Sequence, residues 1–328
     1  MATLIPRRNA SPIGRALRHG DIPWNVILIV TAVLVLALMI AIGWSVWSQS
    51  EASRQAFGLN FLAPTTDSSW DPVNDHFQAW PIIVGTLVTA VIAIGVATPI
   101  SVFIAIFLAE LCPDRLRAPL NFMIEMLAAI PSVVFGLWGV FVFLPGVVKP
   151  VGEFLGSTLG FLPLFSGSIP ASGTSRLGAS LILTIMVIPT ITAVTRDVLR
   201  AIPRAQREAS LALGATRWEM IWQVLLPYGL SGILGAVILG LGRALGETMA
   251  VTMVIGNNTI ESSGSLLKPG ATLASVIANE FAEAVSQLHT SALIQLGLIL
   301  FIMTLALNMI ARLLVWRVAR RVPSEARA

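Results

Sequence analysis

Apolar residues fall along the chain in six long blocks, and the long connectors between the blocks are polar and rich in Gly, Pro, Ser or Asp. A helix needs roughly 17–25 predominantly apolar residues to cross the hydrocarbon core of a bilayer, and each block reaches that length. The pattern therefore predicts about six membrane-spanning helices, at Trp24–Val46, Ile82–Leu111, Phe122–Leu144, Leu177–Val194, Tyr228–Ile255 and Ser291–Val315.

The charged residues are divided unevenly between the two sides that these spans define. With the N-terminus placed in the cytoplasm, the cytoplasmic segments hold 15 basic and 6 acidic residues, whereas the outer segments hold 4 basic and 8 acidic residues. Lys and Arg are enriched in the cytoplasmic loops of membrane proteins. We therefore expect both termini to be cytoplasmic.

Composition agrees with a membrane protein and argues against nucleic-acid binding. Of 328 residues, 55% are hydrophobic and 12% are charged, whereas soluble proteins carry roughly 25% charged residues. The mean hydropathy is +0.83 and the sequence pI is about 10.2. The net charge is nevertheless only +4, which is too small for a surface that binds a nucleic acid.

The sequence predicts no catalytic residue, no cofactor and no metal site. Cys112 is the only cysteine, and His19, His76 and His289 lie far apart, so we expect isolated interfacial or loop histidines. Both lysines are followed by proline, which excludes a phosphate-binding P-loop. A channel, a transporter or a membrane subunit of a larger assembly remains.

The connector at residues 203–226 is predicted to form two short helices joined at a glycine. Gly214 is suited to end the first helix, and Thr216 with Glu219 forms a T-x-x-E capping box that starts the second. This helix–glycine–helix elbow is more elaborate than a connector needs. The alternative is an amphipathic segment that lies on the lipid headgroups through its two tryptophans.

Two charged residues, Arg243 and Glu247, interrupt the apolar pattern of the fifth predicted span. Four residues apart in a continuous helix, they would share one face with several Gly and Ala residues and form an ion pair. A charge inside a span is costly and by default a candidate for function, and the planar arginine side chain suits a tetrahedral oxyanion. Glu247 would moderate that charge and allow the anion to leave. The alternative is a structural ion pair that fixes helix register.

Three prolines, Pro99, Pro131 and Pro189, interrupt other apolar blocks. Broken helices near the middle of a membrane can direct the dipoles of half-helices at an anion. Ser132 directly follows Pro131 and is a further candidate for contact with a substrate. A hydrogen bond from Ser132 to its own helix is the favoured interpretation.

The elbow carries a motif of a known family. Glu208-Ala209-Ser210, then three residues, Gly214, nine residues and Val224-Leu-Leu-Pro227 resembles the EAA motif of ABC importer permeases. The sequence departs from that motif at Ser210 and Val224, and the spacing is kept. The resemblance implies that Glu208, Ala209 and Gly214 contact a separate ATP-hydrolysing subunit.

A second set of motifs resembles one branch of that family, the C-type permease subunits of the bacterial phosphate importer, the Pst system. The similarity extends over most of the chain from the second span onward. It is carried by Ala129–Gly136, Ile188–Pro189, Arg196–Asp197, Gly240–Val251, Ile255–Asn257 and Asn279–Ala284. The resemblance implies that Arg243 and Glu247 are linked to phosphate passage, with Ser132 as the weaker candidate.

The resemblance also implies an architecture and a set of partners. We expect an all-α, polytopic membrane protein with the type I ABC importer permease fold, located in the bacterial inner membrane. The implied partners are a homologous A-type permease subunit, an ATPase dimer, a periplasmic phosphate-binding protein and membrane lipid. The expected parts are a cytoplasmic segment (1–23), a first anchor (24–46), a permease domain (82–315) containing the elbow (203–226), and a cytoplasmic tail (316–328).

Two other functions remain open at this point. The EAA pattern is compatible with an ABC permease for another ligand, such as sulfate, molybdate or an amino acid. A stand-alone ion-coupled secondary transporter belongs to a different class, would need no elbow, and would work without an ATPase.

Overall fold

A computed structural model of the protein describes residues 21–64, 70–260 and 263–319. The predicted N-terminal segment and C-terminal tail lie mostly outside these residues. The described chain is built from α-helices, which confirms the predicted all-α fold. In chain order they are α1 Asp21–Gln49, α2 Glu51–Phe57, α3 Trp80–Ile106, α4 Asp114–Ala129, α5 Ser132–Trp138, α6 Lys149–Leu159, α7 Arg176–Ala201, α8 Arg204–Ala212, α9 Arg217–Met220, α10 Leu226–Gly246, α11 Met249–Ile255, α12 Leu273–Glu280 and α13 Gln287–Ala319.

Several of these helices join into longer ones through π-helical segments at Phe107–Leu111, Gly139–Val148 and Ile221–Leu225. Within the described residues, six continuous helices are long and apolar enough to cross a membrane, which confirms the predicted number. They are Trp24–Gln49, Trp80–Leu111, Ser132–Leu159, Arg176–Ala201, Arg217–Gly246 and Gln287–Arg317.

The third span begins ten residues later than the sequence pattern predicts. The backbone is extended at Ile130 and Pro131, so the predicted start at Phe122 lies instead in α4, an amphipathic helix with no buried residue. The span then continues to Leu159. Most of residues 152–160 therefore form the end of this helix. Pro131 separates two helices here, because it lacks the N–H that an unbroken helix requires.

Helix α1 forms a compact unit by itself, separate from residues 50–319. Its apolar side chains are exposed along its whole described length, and Ile40 for example is 72% exposed. A helix that is apolar on every side and exposed is matched to lipid. This agrees with the predicted membrane anchor.

Helix α7 is the most buried of the spans. It is tied to α3 by Ser101 Oγ, which donates to the carbonyl oxygen of Ile188 at 3.2 Å. On another side it contacts α10 closely, because a Cβ on Gly240 would overlap the side chains of Val187 and Ile191. The predicted stripe of small residues on the fifth span therefore does pack against another helix at this point.

The connector at residues 256–272 is folded into the bundle, where a polar loop was expected. Leu266 and Leu267 are buried within it, and the backbone N–H of Leu177 donates to the carbonyl oxygen of Leu266 at 2.7 Å. The guanidinium of Arg176 is fully buried and donates to carbonyl oxygens of this connector, including that of Ser265 at 3.1 Å. These bonds satisfy the polar groups of irregular backbone inside an apolar surrounding.

The expectation of isolated interfacial or loop histidines is wrong for His289. Its side chain is only 8% exposed, with Nε2 3.0 Å from Glu280 Oε2, and its ring stacks on Phe77. The same carboxylate oxygen accepts a hydrogen bond of 2.7 Å from Trp70 Nε1. Trp70 and Phe77 therefore attach residues 70–79 to Glu280 at the end of α12 and to His289 on α13.

The packing of α3 yields a test of the fold. Gly85→Ala should lower the thermal stability of the purified protein, because a Cβ at this position would overlap the carbonyl oxygen of Ala271. Overpacking of this kind costs about 1–3 kcal/mol. Gly95→Ala is the matched control on the same helix, since a Cβ there meets nothing within 4 Å. Equal melting temperatures for the two variants would contradict the packing of α3 against residue 271.

Candidate functional site

The fifth span is broken at the position of the candidate charges. Helix α10 ends at Gly246, Glu247 has an extended backbone (φ −69°, ψ 125°), and α11 begins at Met249. The prediction of one continuous helix from Tyr228 to Ile255 is therefore wrong. The predicted ion pair between Arg243 and Glu247 is wrong too, since no salt bridge joins them in the part of the chain that the structure describes.

Each of the two charges lies instead at a helix end where the helix dipole has the opposite sign to the charge. Arg243 is in the last turn of α10, where the carbonyl end of the helix dipole is negative. Glu247 precedes α11, and its Oε1 accepts a hydrogen bond of 3.3 Å from the backbone N–H of Ala250. The carboxylate thus caps the positive end of α11.

The polar partner of Arg243 is Thr190 on α7, which sequence reasoning missed. Arg243 Nη1 donates to Thr190 Oγ1 at 3.4 Å, and both side chains are half-buried. Thr190 directly follows Pro189, inside a block whose polar residues are mostly buried threonines. The sequence did contain a signal for Thr190, because it follows a proline within a span. Ser132 was named as a candidate for the same reason.

Ser132 lies close to the break in the fifth span. It is the first residue of α5, and a Cβ on Gly136, one turn further along, would contact the backbone of Ala250. A Cβ on Gly139, three residues after Gly136, would contact the side chain of Val254, four residues after Ala250. Helix α5 with its π-helical continuation therefore runs parallel to α11. This register places Ser132 level with the break. The favoured hydrogen bond from Ser132 to its own helix is not formed, and its half-buried hydroxyl bonds to no described residue.

The predicted elbow is present in the structure. Helix α8 is followed by Gly214 with a left-handed backbone (φ +89°), which L-amino acids with a side chain rarely adopt. The predicted capping box is confirmed, since Glu219 N donates to Thr216 Oγ1 and Thr216 N donates to Glu219 Oε2. Glu208, Ala209 and Gly214 are all exposed.

Arg207, the neighbour of Glu208, attaches the elbow to the rest of the bundle. Its Nε donates to Glu110 Oε1 at 2.9 Å, and the two side chains are only 15% and 14% exposed. Its two terminal nitrogens donate to the carbonyl oxygens of Leu199 and Ile202, where α7 ends. Glu110 is therefore one half of a largely buried ion pair. Charge-assisted bonds of this kind are among the strongest in proteins.

A second, weaker set of polar contacts lies beside this ion pair. Arg196 is largely buried, 2.9 Å from Asp197 and 3.5 Å from Glu125. Both carboxylates are more than half exposed. Glu125 therefore contacts α7. Exposed ion pairs contribute little to stability, because water screens them.

An all-α membrane fold with an exposed helix–glycine–helix elbow is the architecture of the membrane-spanning part of a binding-protein-dependent transporter. Residues 97–323 match the family described as the inner membrane component of binding-protein-dependent transport systems, and the chain belongs to that family. It is 43% identical to the phosphate transport system permease protein PstC of Xylella fastidiosa strain Temecula1, over 98% of each chain. It is 46% identical to PstC of Pasteurella multocida, over 88% of this chain and 90% of the relative.

Solved structures agree with this assignment at the level of the fold. The chain resembles a bacterial ABC transporter involved in the import of the acidic polysaccharide alginate, with a TM-score of 0.60. The match covers 92% of this chain and 99% of the other, at 15% identity. The protein is thus a multi-pass membrane protein with an ABC importer permease fold.

The attachment of the elbow through Arg207 leads to a prediction for Glu110→Ala. The change leaves the Arg207 guanidinium without its carboxylate, and loss of a hydrogen bond to a charged group costs about 1.5–3 kcal/mol. Hydrogen–deuterium exchange in α8 should then rise by roughly one to two orders of magnitude, if α8 exchanges by local opening.

Glu125→Ala is the matched control, because its carboxylate is 58% exposed and 3.5 Å from Arg196. We expect no change in α8 exchange for this variant. If Glu110→Ala also leaves α8 exchange unchanged, then the ion pair does not hold the elbow.

Proposed function

We propose that the protein is one permease subunit of an ATP-driven ABC importer and forms half of a translocation pathway for inorganic phosphate. The observation that carries this proposal is the identity of 43–46% to proteins named PstC, which extends over almost the whole chain in the first of them. Family membership supports the importer class independently of the substrate. ATP hydrolysis is assigned to a separate subunit, so the chain itself is not an enzyme.

Arg243 is the proposed contact for phosphate in the pathway. Its guanidinium stays charged, lies half-buried at a helix break, and has a threonine hydroxyl as its protein partner. A weak neutral partner leaves the fork-like donors of the side chain free to bind two oxygens of a phosphate. Ser132 and Thr190 supply hydroxyl groups that suit the remaining oxygens.

Glu247 has a different proposed role from the one that its spacing suggested. It caps α11 at the break, and it lies four residues beyond Arg243 in the chain. A permanent negative charge near Arg243 would weaken its hold on an anion. Release of phosphate after each cycle would depend on it.

The proposed orientation puts both termini and the elbow in the cytoplasm, in the bacterial inner membrane. The excess of basic residues on that side supports it. The elbow would then meet the ATPase dimer through Glu208, Ala209 and Gly214, which are exposed as a contact requires. In this scheme residues 82–315 form the permease domain and residues 1–23 and 316–328 are cytoplasmic.

Arg207 provides the proposed path for motion from the ATPase to the substrate site. It connects the elbow to Glu110 at the end of the second span and to the end of α7. Helix α7 in turn carries Thr190, which contacts Arg243. Closure of the ATPase dimer would therefore move the second and fourth spans together and change the surroundings of Arg243.

The other proposed partners are a homologous A-type permease subunit, which completes the pathway, and a periplasmic phosphate-binding protein. The outer segments carry an excess of acidic residues. A negative surface repels free phosphate, which supports delivery by a binding protein over attraction from solution.

The substrate proposal is tested by phosphate uptake in whole cells at limiting phosphate. Arg243→Gln at matched protein level should reduce uptake at least about tenfold, because a charged contact to the anion is lost. Thr190→Val should reduce it less, by roughly fivefold, since only a neutral hydrogen bond is lost. Arg317→Gln, an exposed arginine elsewhere in the chain, is the control and should transport normally.

Normal uptake with Arg243→Gln would overturn its role in translocation. Uptake of sulfate or molybdate in place of phosphate by the unaltered protein would favour a permease for another anion. Uptake in a strain without the ATPase would favour an ion-coupled transporter.

The coupling proposal is tested by co-purification of the ATPase with the permease. Glu208→Lys should abolish co-purification and ATP-dependent uptake, because it reverses an exposed charge in the proposed contact. Glu153→Lys makes the same charge reversal on α6, away from the elbow, and should have no effect. An intact complex with full transport in Glu208→Lys contradicts the assignment of the elbow.

A further inference from the structure

A groove of about 830 Å³ lies between α10 and α13, away from the substrate site and the elbow. Ile238, Leu239 and Gly242 line it from α10, and Leu305 and Met309 are among the apolar residues that line it from α13. Its volume is within the range of about 300–1,000 Å³ that is typical of ligand sites. A Cβ on Gly242 would meet nothing within 4 Å, so the missing side chain contributes to the open space.

Helix α13 presents two adjacent rows of side chains to this groove. Asn308, Arg312 and Trp316 form a row spaced four residues apart, and Leu305, Met309 and Leu313 form an apolar row beside it. Leu305 lies near the middle of the span, whereas Arg312 and Trp316 lie nearer its C-terminal end. Arginine and tryptophan at the end of a span are typical of the level of the lipid headgroups.

Arg312 has no counter-charge within the described residues. It makes no ion pair or hydrogen bond with any of them, and no acidic residue lines the groove. Arginine keeps its charge in proteins, and a charge within an apolar span is costly unless an opposite charge accompanies it. Arg320 and Arg321 follow the same span in the sequence and add positive charge there.

The length of the groove matches one leaflet of a membrane. Its lining on α13 runs from Leu305 to Trp316, which corresponds to ~16 Å along the helix axis at 1.5 Å per residue. The hydrocarbon core of a bilayer is about 30 Å thick, so one leaflet is about half of that. The groove is thus as long as an acyl chain of one leaflet, with its cationic end at the headgroup level.

We propose that this groove is a binding site for a phospholipid with an anionic headgroup. The phosphate would lie against Arg312, beside Asn308 and Trp316, and an acyl chain would lie along Leu239, Gly242 and Met309. Basic pockets between membrane helices near the ends of spans bind anionic headgroups in this way. The site does not depend on which solute the transporter carries.

Lipid retention by the assembled transporter tests this site. The full complex is reconstituted in vesicles with equal amounts of phosphatidylglycerol and phosphatidylcholine, extracted in mild detergent, and analysed by native mass spectrometry. We expect one retained phosphatidylglycerol per copy of this chain and little phosphatidylcholine. Arg312→Gln should reduce its retention at least about tenfold, because a charge-assisted contact is lost.

Two further variants separate the site from general effects of charge. Met309→Trp fills the apolar part of the groove, leaves the charge unchanged, and should also reduce retention. Arg317→Gln removes an exposed arginine that does not line the groove, and it should retain the lipid.

Three results would overturn the proposal. These are equal retention of phosphatidylcholine, unchanged retention in both Arg312→Gln and Met309→Trp, and efficient cross-linking of Met309→Cys to the partner permease subunit. The last result would show that protein covers the groove.

Discussion

The break at Glu247 and Thr248 is the feature on which the proposed site depends, because a broken helix inside an apolar bundle leaves backbone groups that need new partners. Glu247 supplies one of them by accepting from Ala250 N, and Thr248 Oγ1 donates to the carbonyl oxygen of Gly246 at 3.2 Å. No salt bridge joins this carboxylate to Arg243 within the described residues. The break therefore produces a half-buried arginine whose donors remain available to a ligand.

Helix α7 connects this site to the elbow. Its buried face fixes it against α3 and α10, and Arg207 binds the carbonyl groups at its end. Thr190 lies nine residues before Leu199 on the same helix, which is ~14 Å at 1.5 Å per residue. A well-packed helix of that length transmits displacement with little internal change. The elbow and Arg243 are in this way joined by protein contacts at every step.

The sequence predicted the features that depend on local pattern. The number of spans, the Gly214 turn and the capping box at Thr216 follow from hydrophobicity, backbone preference and local hydrogen bonding, and the structure contains all of them. The break after Gly246 was missed because residues 228–255 are predominantly apolar and contain no proline, and because Arg243 and Glu247 were interpreted as an ion pair within one helix. Apolar composition indicates burial or lipid contact, and it does not reveal where a helix stops.

Partners that are distant in the sequence were also missed, for a different reason. Arg207 and Glu110 are 97 residues apart, and His289 meets Phe77 across an even longer separation. One sequence contains no record of such pairs, so His289 was expected to be isolated and the partner of Arg207 was not predicted. Thr190 was missed because threonine is common in buried helices, where its hydroxyl usually bonds to its own backbone.

Two adjacent residues of α10 separate the two proposed anion sites. Gly242 lines the groove and Arg243 contacts Thr190 on α7. Successive residues of an α-helix point about 100° apart, so these positions lie on different sides of α10. A lipid in the groove therefore does not compete with a substrate at Arg243. A lipid in the groove would instead change how α10 packs against α13. Because α10 carries Arg243, such a change would also move Arg243.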